Sequence, residues 1–521
     1  MNHLMTTNNP KILTMAGTAM LMAMAMGCGD YNEGPASTYP GEQDAYYNNQ
    51  TGHAAYGSDG EQGREDDHID FGENEFIEAS EEDTSTFSID VNTASYTMAR
   101  RALNEGRLPV EESVRIEEFI NYFNYDYPEP GDEPFSLHLE MGPSYFGSEG
   151  DEQRHLMRLG INGQEVSIDD MKPTNLVFLV DVSGSMNRDD RLPLAKESLH
   201  TLVENLRDSD RVAMQTYASG SETVLEPMEV GGNRQEVGDA IESLVAQGST
   251  WGEGGIRDAY ALAEQGFIEG GNNRVVILTD GDFNVGATGD ELVDLVKSYR
   301  DMEISLTSVG YGHGGFGDAT MERLARKGNG NYFYVDTIDE AQRIFGEKLT
   351  STVEIIAEDV RTQVVFNEDA VHRYRLIGYE KRVMDNEDFD DEDTNAGELG
   401  AGHQVTAFYE LELLEESEEG AQLAELRLRH RAPYGDETEL QTGIIKRGYV
   451  SDDFDEMSKG YRFATAVVQL AAILRGSQFV DEANFGEVYD IADASRYDGD
   501  AQQAEFLELV NKADELWESG D

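Results

Sequence analysis

The residues best suited to chemistry cluster at 181–185, where Asp181, Ser183 and Ser185 fall on alternate positions with Gly184 between the serines. A carboxylate and two hydroxyls make a hard, all-oxygen donor set. That set suits Mg²⁺, which takes near-octahedral oxygen ligands and keeps several waters. Directly before it, residues 176–180 read Leu-Val-Phe-Leu-Val, a continuous apolar run. Such a run is the pattern of a strand buried on both faces of a parallel sheet. Ligands bind at the carboxyl ends of strands in open α/β sheets, and Gly184 permits the tight turn needed there. The stretch therefore reads as a cation site at the end of a central strand.

Asp181-Val-Ser183-Gly-Ser185 resembles the D-x-S-x-S motif of the metal-ion-dependent adhesion site in von Willebrand factor A domains. Two further stretches match that family. Gly248-Ser249-Thr250 opens a helical segment and aligns with its threonine, and residues 275–279 form a second apolar strand running into Asp280, which aligns with its aspartate. The resemblance implies that Ser183, Ser185 and Thr250 ligate the metal, Thr250 directly or through water, while Asp181 and Asp280 act mainly by holding metal-bound waters. Neutral hydroxyls cannot cancel a divalent charge, so the ion, Mg²⁺ or in its place Mn²⁺ or Ca²⁺, stays electron-poor. An acidic side chain from a partner protein is then its natural extra ligand. Asp282 and Asn284 read as loop residues near the site. The strand at 304–309 carries only Ser305, Thr307 and Ser308, so no further carboxylate ligand is expected from it.

Enzymatic readings fit less well. A haloacid dehalogenase-type phosphatase would need a second aspartate where Ser183 stands. The chain has no G-x-x-x-x-G-K-[S/T] loop, no G-x-S-x-G elbow and no H-E-x-x-H pair. The protein is read as a binding protein, not an enzyme.

Positioning these residues requires a strictly alternating pattern, and residues 175–349 supply it. Strands are expected at 211–217, 274–279, 304–309 and 332–335, with an antiparallel edge at 222–228. Amphipathic helices lie between them, among them one with Leu199, Leu202, Val203 and Leu206 at i, i+3, i+4 and i+7. Further helices are expected at 237–245, 256–267, 319–326 and 339–349, and one carrying Leu292, Leu295, Val296 and Tyr299. The fold class is α/β, a doubly wound parallel sheet.

Flanking segments read differently. Residues 83–174 hold a short helix near 96–104 and strands at 135–141 and 156–161. Residues 350–521 begin with strand-like runs at 359–366, 374–379, 405–413 and 424–431 and close with helices at 461–474 and around Phe506 to Trp517. Within them, residues 86–128 resemble the small N-terminal module, and Tyr374-Arg-Leu-Ile377-Gly-Tyr379-Glu a stretch of the C-terminal domain, of a bacterial family of envelope proteins. The two segments are expected to form one β-rich domain between them. Asp90 and Asn92 read as helix caps in preference to ligands. The acidic run 385–393 lacks the glycine and terminal glutamate of an EF-hand loop and reads as solvated.

Composition sets the surroundings. Over 521 residues, 104 acidic side chains face 39 basic ones, a net charge of −65. That sign excludes nucleic acid as a partner, since phosphate contacts need cations. Cys28, the single cysteine, follows an apolar stretch at 12–26 and Ala25-Met-Gly27. This is the layout of an export signal, and it resembles a lipoprotein signal (residues 1–28) with Cys28 as the lipidated mature N-terminus. Ordinary secretion and a short membrane anchor are the alternatives, although the stretch is shorter than the ~20 residues of a spanning helix. Residues 29–82 are poor in Val, Leu and Ile and read as a disordered acidic tether, with a reach of roughly 40 Å.

Two readings of function result. One is a metal-dependent adhesion or assembly module, lipid-anchored to the bacterial cell envelope with the outer membrane or cell surface favoured, that captures an acidic protein ligand. The other is an envelope scaffold in which the metal only stabilises the fold.

Overall fold

Strand Thr174–Asp181 is buried along its whole length, and its side chains alternate between two separate cores. Leu176, Phe178 and Val180 enter one, with Leu199, Leu202 and Ile241 from helices Leu192–Asn205 and Arg234–Ser243. Val177 and Leu179 enter the other, with Ile256, Tyr260, Leu292 and Met321 from helices Gly252–Gln265, Gly289–Arg300 and Asp318–Lys327. A strand covered on both faces must be apolar at every position, which is why the sequence runs without alternation. In this computed structural model the description covers residues 68–520, except 70, 132, 145–153, 251, 282–288, 314–316, 392–395, 415–417, 419, 434, 436 and 481. The export signal, Cys28, the tether as far as residue 67, and Asp282 and Asn284 lie outside the described residues.

The central sheet has six strands in the order Tyr332–Val335, Ile304–Tyr311, Asn272–Thr279, Thr174–Asp181, Arg211–Tyr217 and Ser221–Glu229. All pair in parallel except the last, which is antiparallel to Arg211–Tyr217. Chain order runs outward from Thr174–Asp181 on one side, then crosses to Asn272–Thr279 and runs outward on the other. The topological switch point thus lies between the strands that end at Asp181 and at Thr279, where a doubly wound sheet opens a crevice for a ligand.

The remaining β structure is a sandwich of two antiparallel sheets. One is ordered Ile77–Glu78, Val371–Ile377, Gln404–Leu413, Arg154–Gly163, Phe135–Pro143; the other Val383–Met384, Thr84–Ser88, Ile355–Phe366, Gln422–Arg431, Thr438–Lys446. Both send side chains into one core, including Phe87, Leu159, Val364, Tyr374, Tyr409 and Leu426. N- and C-terminal segments interleave in it, so the α/β body is inserted between Gly163 and Ile355. A third packing unit joins helices Ala94–Asn104 and Ile116–Ile120 to the C-terminal helices Lys459–Arg475, Phe485–Ser495 and Ala501–Ser519.

Several expectations need correction. Helix Phe485–Ser495 lies between the two helices the sequence indicated, so three close the chain. The helix expected over 339–349 is broken into Ile338–Gln342, a wide π turn Arg343–Glu347 marked by the bond from Lys348 N–H to Arg343 C=O at 2.8 Å, and Leu349–Val353. Order begins before residue 83. Ile77–Glu78 adds a strand to the sandwich edge, the Asn74 side chain donates to Leu376 and Gly378 carbonyls, and Phe76 meets Phe479 edge-on at 5.9 Å among Arg154, Arg373 and Arg375. Backbone pairing and stacking on guanidinium groups order this segment, and neither registers in composition.

Asp90 and Asn92 cap nothing. The Ala94–Asn104 helix starts after Thr93, which makes no side-chain cap bond. Asp90 is buried against Arg382 and Lys381 at 3.0 and 3.2 Å, and Asn92 accepts the Tyr332 N–H. The run from 385 to 391 is not simply solvated either. It folds into the turn Asn386–Phe389, buries Phe389, and caps the guanidinium of Arg361 with the carbonyls of Asp388, Phe389 and Asp391.

Candidate metal centre

Asp181 is fully buried at the end of its strand, and both carboxylate oxygens are engaged. Oδ1 accepts the Ser183 N–H at 2.8 Å; Oδ2 accepts the Tyr217 hydroxyl at 3.1 Å and the Thr279 hydroxyl at 3.0 Å. The Ser183 bond turns the chain at once into the Gly184–Met186 turn. That turn brings the Ser183 and Ser185 hydroxyls to 2.8 Å from each other. The third stretch is tied in by backbone: Val182 C=O accepts the Gln247 N–H at 2.7 Å, and Gly248 C=O accepts the Gly184 N–H at 3.0 Å. Gly248 sits at φ +86° with Ser219 where a Cβ would go, so only glycine fits this turn. Ser219 in turn accepts the Ser249 N–H at 2.9 Å. Thr250, half-buried, is the next residue.

Asp280 stands across the switch point. It shares a partner with the serine turn: Arg191 Nη1 donates both to Asp280 Oδ2 and, at 3.0 Å, to Ser185 C=O. Burial, and then the charge of Asp280, push the Asp181 carboxyl up to about 6. A buried carboxylate whose ionisation is opposed by a second one beside it is relieved by a shared cation. Asp181, Ser183, Ser185 and Asp280 are therefore brought together, and the loop that carries Thr250 is bonded to the same turn. The donors present, two adjacent hydroxyls backed by two carboxylates, fit a divalent ion.

Sequence reasoning missed Arg191, Tyr217 and Thr279. Thr279 directly precedes Asp280, which was a usable signal. Nothing in the type or spacing of Arg191 marked it. The hydroxyls of the neighbouring strand are spent in the core: Ser305 on Asn273 C=O, Thr307 on the Arg274 guanidinium and Ser308 on Met321 C=O. A second carboxylate cluster, Asp90, Glu117 and Glu118, has oxygens within 4.8 Å of one another. It already holds a cation, because Lys381 Nζ lies 3.2, 3.9 and 2.7 Å from the three.

Residues 175–347 match the model of the von Willebrand factor type A domain, residues 351–516 the C-terminal model of the uncharacterized protein YfbK, and residues 62–158 a von Willebrand factor model. Over 471 residues the chain is 36% identical to the uncharacterized protein YfbK of Escherichia coli, covering 85% of this chain and 80% of that one. The chain belongs to the YfbK family of von Willebrand factor type A proteins. Outside that family, 189 residues (34% of this chain, 19% of the relative) are 29% identical to the human inter-alpha-trypsin inhibitor heavy chain H2. Among solved structures, a von Willebrand factor type A protein from Catenulispora acidiphila is 16% identical, with 72% of this chain and 88% of that one covered and a TM-score of 0.44. A proximal thread matrix protein from the mussel byssus with a zinc-occupied adhesion motif covers 34% of this chain and 45% of its own at 18% identity and a TM-score of 0.29. In the YfbK-family chain the adhesion-type motif thus lies in the matched type A domain, at the switch point of its sheet.

Proposed function

We propose that the protein is a metal-dependent protein-binding module of the bacterial cell envelope. The observation that carries this reading is the pair of serine hydroxyls 2.8 Å apart, backed by buried Asp181 and joined through Arg191 to Asp280. Ser183, Ser185 and Thr250 would hold the ion, Mg²⁺ or a similar divalent cation. Asp181 and Asp280 would orient its waters, and a partner's carboxylate would complete its shell. The ion supplies Lewis acidity toward that carboxylate; the chain supplies the fixed geometry.

Binding is favoured over catalysis by the same hydrogen bond. Each serine hydroxyl is engaged by the other, and among the described residues neither has the histidine or lysine base that an activated nucleophile needs. The scaffold alternative asks the metal to rigidify the top of the sheet. Hydrogen bonds to Asp181 and the Arg191–Asp280 pair supply rigidity there from the chain's own side chains. Tethering through a lipid on Cys28 belongs to the same proposal and is tested by labelling with an alkyne fatty acid, which Cys28→Ser abolishes.

Calorimetry with Mn²⁺ on the full chain tests the metal, and a pull-down from envelope extract with and without EDTA tests the binding. Thr250→Ala is expected to weaken both while leaving the circular dichroism spectrum unchanged. Capture that persists in EDTA and in Thr250→Ala overturns the reading.

A further inference from the structure

Arg191 is built into the centre as firmly as the carboxylates. Its side chain is 6% exposed. Nη1 bridges Asp280 Oδ2 and Ser185 C=O, and Nη2 donates to His313 C=O at 2.7 Å. Gly312, at φ +72°, leaves the space the guanidinium occupies; a Cβ there would lie 2.4 Å from Arg191 Nε. That Nε is buried and has no hydrogen-bond partner. The arginine therefore gives up one solvent contact to hold this pose, and its neighbours are shaped around it. The next layer reaches another module: Arg101, from helix Ala94–Asn104, meets His313 Nδ1 at 2.7 Å and Asp190 at 2.6 Å.

Charge decides what such an arginine does. Asp181 and Asp280 carry two negative charges when ionised, and Arg191 cancels one. A site of two carboxylates would be neutral with a divalent ion aboard. With the guanidinium present it carries one net positive charge. In a buried, weakly screened centre, each charge within a few ångströms of the ion counts for much more than it does in water.

We propose that Arg191 is a resident counter-cation that keeps the metal site weak on its own and cationic when filled, so that the metal and the acidic side chain of a partner bind cooperatively. This rests on the metal-dependent reading above and adds its regulation. With the partner absent, Arg191 competes with the ion for Asp280. When a carboxylate arrives, it neutralises the excess positive charge and the ternary state is favoured. By linkage the partner tightens the metal by the factor that the metal tightens the partner.

The test uses the full chain and Mn²⁺, with acetate as the carboxylate probe, in wild type, Arg191→Met, Arg191→Lys and Ser183→Ala. Arg191→Met keeps the side-chain bulk and removes the charge. It is expected to bind Mn²⁺ about tenfold or more tightly than wild type, with Arg191→Lys close to wild type. Acetate is expected to raise Mn²⁺ affinity in wild type and much less in Arg191→Met. The rise in melting temperature from EDTA to Mg²⁺ should be larger in Arg191→Met, because Asp280 then lacks a counter-charge until the ion arrives. Equal or weaker Mn²⁺ binding by Arg191→Met, with a melting temperature lowered alike in EDTA and Mg²⁺, would make the arginine merely structural and overturn the proposal. Wild type binding Mn²⁺ no better than Ser183→Ala would instead remove the metal-dependent reading, and this proposal with it.

Discussion

The amide of Gly184 donates to the carbonyl of Gly248 across 3.0 Å, joining two loops 64 positions apart in the chain through their backbones. The bond depends on Gly248 holding φ +86°. Gly248→Ala places a Cβ 2.6 Å from Ser219 Oγ in a backbone region that costs an L-residue roughly 1–2 kcal/mol. The threonine loop should lift away from the serine turn. Mn²⁺ affinity, read by calorimetry, should fall roughly tenfold for that energy, while the thermal transition moves by only a few degrees.

Removing a single donor should act more cleanly. Ser183→Ala deletes one hydroxyl of the 2.8 Å pair and leaves the Ser183 N–H bond to Asp181 in place. Metal heat should be lost, with far-ultraviolet circular dichroism and the urea midpoint close to wild type. A variant that unfolds would show that the hydroxyl serves the fold and not the ion.

The α/β body was legible because its constraints are local. Strand Arg211–Tyr217 was placed to the residue, and the antiparallel edge Ser221–Glu229 was recognised beside it. Burial on both faces leaves a short, β-branched and aromatic apolar run, and that length and composition favour a strand over a buried helix. The donor residues were legible because oxygen side chains at strand ends are rare enough to notice. Arg191 was not: its role arises only when strands distant in sequence bring Asp280 to it. Phe76 was hidden for a related reason, since its partners are arginines 78 to 299 residues away. Helix Phe485–Ser495 was missed because it is short and buries only Phe485, Val488, Ala492 and Ser495.

Protons should compete with the metal. Burial and the Asp280 charge push Asp181 up to about 6 in the metal-free protein. Above that pH the carboxylate is ionised and the site is fully available. Below it, each bound ion must displace one proton, so Mn²⁺ affinity should fall roughly tenfold per pH unit. Titrations at pH 7.5, 6.5, 5.5 and 4.5 locate the break. Affinity that is flat down to pH 5 would show that Asp181 takes no part.

The second buried cluster should behave as structure. Burial works to lower the Lys381 pKa, yet Asp90 and Glu118 hold it above the ordinary lysine value. Lys381→Met keeps the apolar stem and leaves Asp90, Glu117 and Glu118 short of their shared cation. Breaking one side of a buried ion cluster costs about 3–5 kcal/mol, which urea unfolding resolves. Because Asp90, Glu118 and Glu322 sit on different modules around Lys381, the transition should also broaden or split as those modules part.

Phe76 tests where the folded body begins. Its ring meets Phe479 at 5.9 Å and lies 5.2, 4.8 and 5.5 Å from the guanidinium carbons of Arg154, Arg373 and Arg375. Each partly exposed cation–π contact is worth about 0.5–1 kcal/mol, and such contacts are not additive. Two of these arginines also bind Glu412, so their positions do not depend on the ring alone. Phe76→Ala should therefore cost about 1–3 kcal/mol in urea unfolding. It should also speed hydrogen exchange at the Ile77–Glu78 edge, while leaving Mn²⁺ binding untouched because the ring packs on the sandwich and not on the metal-bearing sheet. If the residues before 83 were only tether, the substitution would change neither stability nor exchange.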